Sequence, residues 1–195
     1  QQRQIKEKLQ DNRYEKEIED VFHCIVRNSK RIQAQKLFSY NIILIGFMGA
    51  GKSTVSQYLK DVFAMHVVEM DQLFATYGEE YFRNLETNLL IEMQATKNTI
   101  VSCGGGAALR EQNVKEMKKN GKVVLLTAAP ETILNRVKDS DERPLLNGNK
   151  NVEFITNMME QRRQKYETAA DVIIHTDNKS VLQICEEMIA KLKEA

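Results

Sequence analysis

Tryptophan is absent from this chain of 195 residues, proline occurs twice and cysteine three times. Neither sign of charge prevails: 28 Lys and Arg stand against 27 Asp and Glu, for a net charge of +1. No broad basic field is therefore expected, and neither nucleic acid nor a membrane surface is an expected partner. No apolar run approaches the roughly 18 residues of a membrane-crossing helix. The first twenty residues are polar and charged, unlike a secretory signal. Cys24, Cys103 and Cys185 are widely spaced and odd in number. That suits reduced thiols in the cytoplasm and offers no zinc-ligand spacing. The length fits one domain with a full core and an appendage.

What is present is organised around residues 41–54, Asn-Ile-Ile-Leu-Ile-Gly-Phe-Met-Gly-Ala-Gly-Lys-Ser-Thr. An apolar run predicts a buried parallel strand. A Gly-rich turn follows, and Val55, Tyr58, Leu59 and Val62 then recur at helical spacing. Gly46 and Gly51-Lys52-Ser53 satisfy G-x-x-x-x-G-K-[ST]. Such a loop aims backbone N–H groups and a helix N-terminus at phosphate oxygens. Lys52 adds a cation for the β- and γ-phosphates, and the Ser53 hydroxyl suits Mg²⁺. The expected ligand is a nucleoside triphosphate.

Downstream, Met65–Asp71 reads as a short strand ending in two acids, Glu69 and Asp71, on one side of the chain. One could support Mg²⁺ and the other could orient or deprotonate a hydroxyl. Residues 79–97 read as a helix on which Arg83 and Glu86 can meet, either as a surface pair or as a guanidinium held to grip an anion. Strand 99–102 runs into Cys103-Gly104-Gly105-Gly106, where consecutive glycines suggest close backbone approach to a ligand or a neighbouring element. Strand 122–127 precedes a helix opened by Pro130. The polar stretch 138–151, with Arg136 at its edge and Arg143 within, suits a lid over the phosphates. In the next helix Arg162 shares a face with Ile155, Met158, Met159 and Tyr166. It is expected either in an internal ion pair with Glu86 or Asp71 or as a second clamp on a substrate carboxylate. Strand 171–175 and an amphipathic helix from Val181 close the chain.

In this order the motifs resemble the shikimate kinase family over residues 40–195. The resemblance rests on the loop 46–54, Asp71, Phe82-Arg83 with Glu86, Gly104-Gly105-Gly106, Arg143-Pro144-Leu145-Leu146, and Arg162 four before Tyr166. It implies an α/β P-loop fold of the nucleoside monophosphate kinase-like kind, a five-stranded parallel sheet flanked by helices, with a lid at about 138–151. It also implies ATP-dependent phosphorylation of the shikimate 3-hydroxyl, with Mg²⁺. Gly49, Ala50, Gly51, Lys52, Ser53 and Thr54 would wrap the ATP phosphates, with Arg136 near the nucleotide and Arg143 at the transferred phosphoryl. Asp71 would be the base. Arg83, Glu86, Gly104, Gly105, Gly106 and Arg162 would form the shikimate site, and Ser53 and Glu69 the metal site. Many relatives carry Asp where this chain has Glu69, so direct ligation there is open.

Residues 1–39 form a separate amphipathic segment in which Ile18, Val21, Phe22 and Ile25 follow helical spacing, with Ile32 seven further on. The stripe needs a partner, either the kinase body or a second copy of the chain. The run 25–33 also resembles the last helix of all-helical chorismate mutases, with Ser29 and Gln33 at that family's two ligand-facing positions. This implies a remnant of a mutase–kinase fusion. The family's preceding helices are not in the chain, and mutase activity is not expected from it. A small GTPase is a poor fit, because no Asn-Lys-x-Asp follows a late strand. Adenylate- and gluconate-type kinases share the loop but do not require Arg83, Arg162 and the three glycines together. The non-enzymatic alternative is a nucleotide-binding module with a dimerising or regulatory helix.

Overall fold

The computed structural model describes residues 14–70, 79–138 and 151–195. In chain order these form α1 (Glu15–Leu37), β1 (Asn41–Ile45), α2 (Lys52–Phe63), β2 (His66–Glu69), α3 (Glu79–Glu92), β3 (Thr99–Ser102), α4 (Glu111–Asn120), β4 (Gly121–Thr127), α5 (Pro130–Val137), α6 (Val152–Ala169), β5 (Val172–His175) and α7 (Val181–Glu194). Short 3₁₀ turns occupy Met93–Ala95 and Ala107–Leu109. The helix expected over 79–97 thus ends as α-helix at Glu92 and tightens into the first of these turns. Asp71 and most of the expected lid, including Arg143, lie outside the described residues. Among the described residues no helix is long and apolar enough to cross a membrane.

The five strands make one parallel sheet in the order β2-β3-β1-β4-β5. β1 is central and buried along its whole length, as its unbroken apolar run requires. Its side chains alternate between two cores. Ile42 and Leu44 face a cluster with Val55 and Leu59 of α2 and Ile184, Met188 and Leu192 of α7. Ile43 and Ile45 face a second cluster with Leu90 of α3 and Met117 of α4. α6 bridges the two, contributing Ile155 to the first and Tyr166 and Ala169 to the second. β5 is an edge strand with Val172 and Ile174 buried and Ile173 and His175 exposed.

α4 was not legible in the sequence. Its ten residues carry Lys115, Lys118 and Lys119, and only Met117 and the polar Asn113 are buried. Asn113 is held by tertiary bonds, accepting from Thr87 Oγ1 at 2.6 Å and donating to the Ala107 carbonyl at 2.9 Å.

Of the two partners expected for the stripe on α1, the kinase body does not cover Val21, Ile25 or Ile32 among the described residues. α1 meets the body through Ala34 and through Lys30, which donates to the Asp61 carbonyl at 2.9 Å, while Val21, Ile25 and Ile32 stay exposed. Ser29 and Gln33 are exposed as well.

At the opposite end of the sheet from the P-loop, the buried Asn41 side chain donates to the carbonyls of Met93 (2.9 Å) and Thr96 (3.1 Å) and accepts from the Thr99 amide at 3.1 Å. It ties β1 to β3 and to the turn between α3 and β3. Truncation would leave the buried Thr99 amide without this acceptor, whereas the Met93 carbonyl keeps Thr96 and the Thr96 carbonyl keeps Asn120 as donors. Asn41→Ala is expected to lower unfolding stability by about 1–3 kcal/mol, read as a shifted urea midpoint with an unchanged slope.

Candidate active site

The site is built where β1, β2 and β3 end. β1 lies between β3 and β4, and loops leaving a parallel sheet at that reversal of strand order open a crevice. Gly46 leaves β1 with φ +138°, and a Cβ there would stand 2.2 Å from the Leu126 carbonyl oxygen of β4. Only glycine lets the loop turn this close to the neighbouring strand. Gly49 and Gly51 also take positive φ. α2 then begins at Gly51 with no side-chain cap and no acid in its first turn. Its amides and positive dipole end are thereby left for an exogenous anion.

These amides open into a cleft of about 410 Å³ lined by Gly49 to Val55, Arg136, Thr176, Lys179, Val181 and Ile184. All six residues of the expected phosphate-wrapping run line it, and so does Arg136. Lys52 is buried, donating to the carbonyls of Gly46 (3.0 Å) and Phe47 (3.2 Å), so its ammonium is folded over the loop. Arg136 donates to the Gly49 carbonyl and to Thr176 Oγ1, both at 3.0 Å. The buried Thr176 hydroxyl donates in turn to the Ala50 carbonyl at 3.2 Å. Sequence reasoning missed Thr176 because its partners lie 40 and 126 positions away.

Glu69 ends β2 with its carboxylate at the start of α2. Oε2 is 3.4 Å from Ser53 Oγ, and Oε1 accepts from the buried Ser56 hydroxyl at 2.5 Å. The two expected metal-site residues are therefore brought together, and the longer glutamate does reach Ser53. Ser56, one turn further along α2, was not anticipated and orients the carboxylate. Hydroxyl and carboxylate oxygens are hard donors of the type Mg²⁺ prefers.

The second half of the site surrounds the three glycines. Arg83 Nη1 donates to Glu86 Oε2 at 2.7 Å, and the Glu86 side chain is only 1% exposed. The pair is largely withdrawn from solvent and is not a surface pair. A Cβ on Gly106 would stand 2.3 Å from Arg83 Nη2, so the guanidinium lies directly on the glycine loop. Gly105 abuts the phosphate loop, where a Cβ would come 3.7 Å from both the Gly46 carbonyl oxygen and the Met48 amide nitrogen. Tyr166 of α6 donates its hydroxyl to the Gly105 carbonyl.

One turn before Tyr166, the half-buried Arg162 guanidinium sits 5.6 Å from the centre of the Phe47 ring, a cation–π distance. Among the described residues no carboxylate pairs with Arg162, and Glu86 is engaged by Arg83. The expected pair between Arg162 and Glu86 is therefore not formed. Arg163, the neighbour, is exposed and pairs with Glu160 at 3.1 Å. Arg83 thus lies on the glycine loop with a buried acid in support, and Arg162 lies over an aromatic ring of the phosphate loop that the glycine loop abuts.

Asp177 fixes the far wall, accepting from the Ala129 amide at 3.0 and 3.1 Å. Burial pushes its carboxyl up, but hydrogen bonds from Thr132 and Ala129 and the nearby Arg136 outweigh this, and the net shift is downward. A depressed carboxylate contributes stability above its unfolded pKa and loses it as pH falls through the folded value. The stability gap between wild type and Asp177→Asn should be full at neutral pH and close progressively in acid below the ordinary carboxylate range. Urea titrations across that range check it.

The chain is 38% identical over 165 residues to a shikimate kinase of Persephonella marina, covering 78% of this chain and 99% of that protein. The solved shikimate kinase of Acinetobacter baumannii in complex with shikimate superposes with a TM-score of 0.72 at 27% identity, covering 80% of this chain and 93% of that one. That of Aquifex aeolicus gives 0.65 at 33% identity, covering 78% and 96%. Residues 48–193, which hold most of the phosphate loop, both arginines, the three glycines and Thr176, match the shikimate kinase family, and the chain belongs to it.

Proposed function

We propose that this chain transfers the γ-phosphoryl group of ATP to the 3-hydroxyl of shikimate, releasing ADP and shikimate 3-phosphate for aromatic amino acid biosynthesis. What carries the reading is the abutment of two loops: an uncapped phosphate loop lies against a glycine loop, with Arg83 on the latter and Arg162 over a ring of the former. A triphosphate on the first places its terminal phosphorus beside whatever anion the second holds. A small carboxylic acid with hydroxyls suits two guanidinium groups over a backbone that presents no side chains.

The chemistry needs in-line positioning and neutralisation of spreading charge. The shikimate oxygen forms its bond to the γ-phosphorus as the bond to the β,γ-bridging oxygen breaks and ADP leaves. Asp71, by family resemblance, orients the hydroxyl and takes its proton. The α2 amides and Lys52 hold the phosphates, and Lys52 must exchange its loop carbonyls for phosphate oxygens as ATP binds. Ser53 and Glu69 would hold Mg²⁺, with Ser56 orienting Glu69. When bound, Mg²⁺ supplies further positive charge at the phosphate oxygens. Arg136 positions the loop and the nucleotide through Gly49 and Thr176. Arg83 and Arg162 bind the substrate carboxylate, with Glu86 fixing Arg83. Arg143 is assigned to the transferred phosphoryl by resemblance alone. Residues 40–195 would make up the catalytic domain, working in the cytoplasm.

The deciding experiment is ADP release in Mg²⁺-ATP with shikimate, gluconate or AMP as acceptor. Stimulation by shikimate alone is expected. ATP binding without stimulation by any acceptor would instead indicate a nucleotide-binding module. Arg162→Ala should raise the shikimate KM by about 10- to 100-fold with a smaller change in kcat, because a carboxylate contact is nearly uniform between ground and transition states. Unchanged affinity would leave Arg162 a packing residue on Phe47. Arg143→Ala should behave oppositely, lowering kcat by about 10³ with little change in shikimate affinity. An unaltered kcat would remove it from catalysis.

A further inference from the structure

α1 carries two faces, and among the described residues only one meets the body. The face holding Lys30 and Ala34 packs on α2. On the opposite side Tyr14, at the helix start, and Val21, Ile25 and Ile32 are 57, 60, 59 and 54% exposed. Single exposed apolar residues need no explanation, but four aligned on one side do. With Ile18 and Asn28 they form the series 14, 18, 21, 25, 28, 32, alternating steps of four and three. This is a heptad seam, with isoleucine at 18, 25 and 32.

Charge along the helix is segregated. Residues 15–20 hold Glu15, Glu17, Glu19 and Asp20 against one lysine, whereas Arg27, Lys30, Arg31 and Lys36 follow with no acid up to residue 37. Arg31 also borders a hollow of about 480 Å³ whose other lining residues include Lys60, His66 and Lys97 and no acid. A parallel partner would lay the basic half on the basic half, whereas an antiparallel one lays the acidic half of each copy along the basic half of the other.

We propose that α1 is a dimerisation helix, pairing antiparallel with α1 of a second copy about a two-fold axis near Cys24. Setting Val21 against the partner's Ile25 puts Tyr14 against the partner's Ile32 and Ile18 against the partner's Asn28. Along the flank, Glu17 then meets the partner's Arg31 and Cys24 meets the partner's Cys24. Two-fold symmetry makes each unlike contact twice. The two symmetry-related layers that pair Asn28 with the partner's Ile18 fix register at some cost in stability.

The test uses the full chain in light scattering and sedimentation at tens of micromolar, with circular dichroism and ADP release as folding controls. A mass of twice the chain is expected, and Ile25→Glu should give a monomer with unchanged circular dichroism and activity. Glu17→Lys and Arg31→Glu should each weaken the dimer roughly tenfold, and the double swap should restore it. Mild oxidation should yield a reducible dimer that is lost in Cys24→Ser, because Cys24 is the exposed cysteine while Cys103 and Cys185 are buried. A monomer at all concentrations would overturn the proposal and leave the seam to another segment or partner. A dimer that survives Ile25→Glu, a double swap no stronger than the singles, or a dimer that cannot be cross-linked through Cys24 would each overturn it too.

Discussion

A phosphate-binding loop must keep its backbone amides available to a ligand, and the surrounding protein has to hold them without satisfying them. Here the restraint comes from behind. β1 is gripped between β3 and β4, and Gly46 turns so close to the Leu126 carbonyl that no side chain fits between them. The loop is then pinned through its carbonyls. Gly46 and Phe47 accept from Lys52, Gly49 accepts from Arg136, and Ala50 accepts from Thr176. With the carbonyls occupied, the N–H groups at the start of α2 remain for the anion.

The same economy governs the substrate half. Backbone exposed at Gly105 and Gly106 makes room for charged side chains and for the phosphate loop itself. Tyr166 holds the Gly105 carbonyl from α6, the helix that also carries Arg162. Arg162 rests on Phe47, a residue of the phosphate loop, so the two halves are mechanically joined through one ring. Arg83 reaches the same loop from α3, with its charge balanced by a carboxylate that solvent hardly touches. Low exposure strengthens that pair and fixes the orientation of the guanidinium.

α1 stands apart from this machinery. Its contacts with α2 use a small residue and a lysine, while Val21, Ile25 and Ile32 point away. A kinase body alone does not require this helix. Its surface pattern is that of a helix evolved to meet another helix, and its charge distribution selects the direction of the meeting.

Much was legible from residues alone. Unbroken apolar runs marked β1 and β4, the glycine spacing marked the phosphate loop, Arg83 and Glu86 stood out as a pair three apart on one helix, and Arg162 stood out because a charge on an apolar face demands a partner. α4 escaped because only Met117 among its apolar residues is fully buried, with Val114 half-buried beside it, and its burial of Asn113 depends on Thr87 and Ala107 from other elements. Ser56 and Thr176 escaped for a similar reason, since hydroxyls bonding across 13 to 126 positions leave no local pattern. Local propensity and periodicity thus determined the elements and the chemistry of the loop. Which of two partners Glu86 takes, what lies beneath Arg162, and which face of α1 meets the body were decided only by packing. Those choices depend on the relative positions of elements far apart in the chain, and an element's own periodicity carries no record of them.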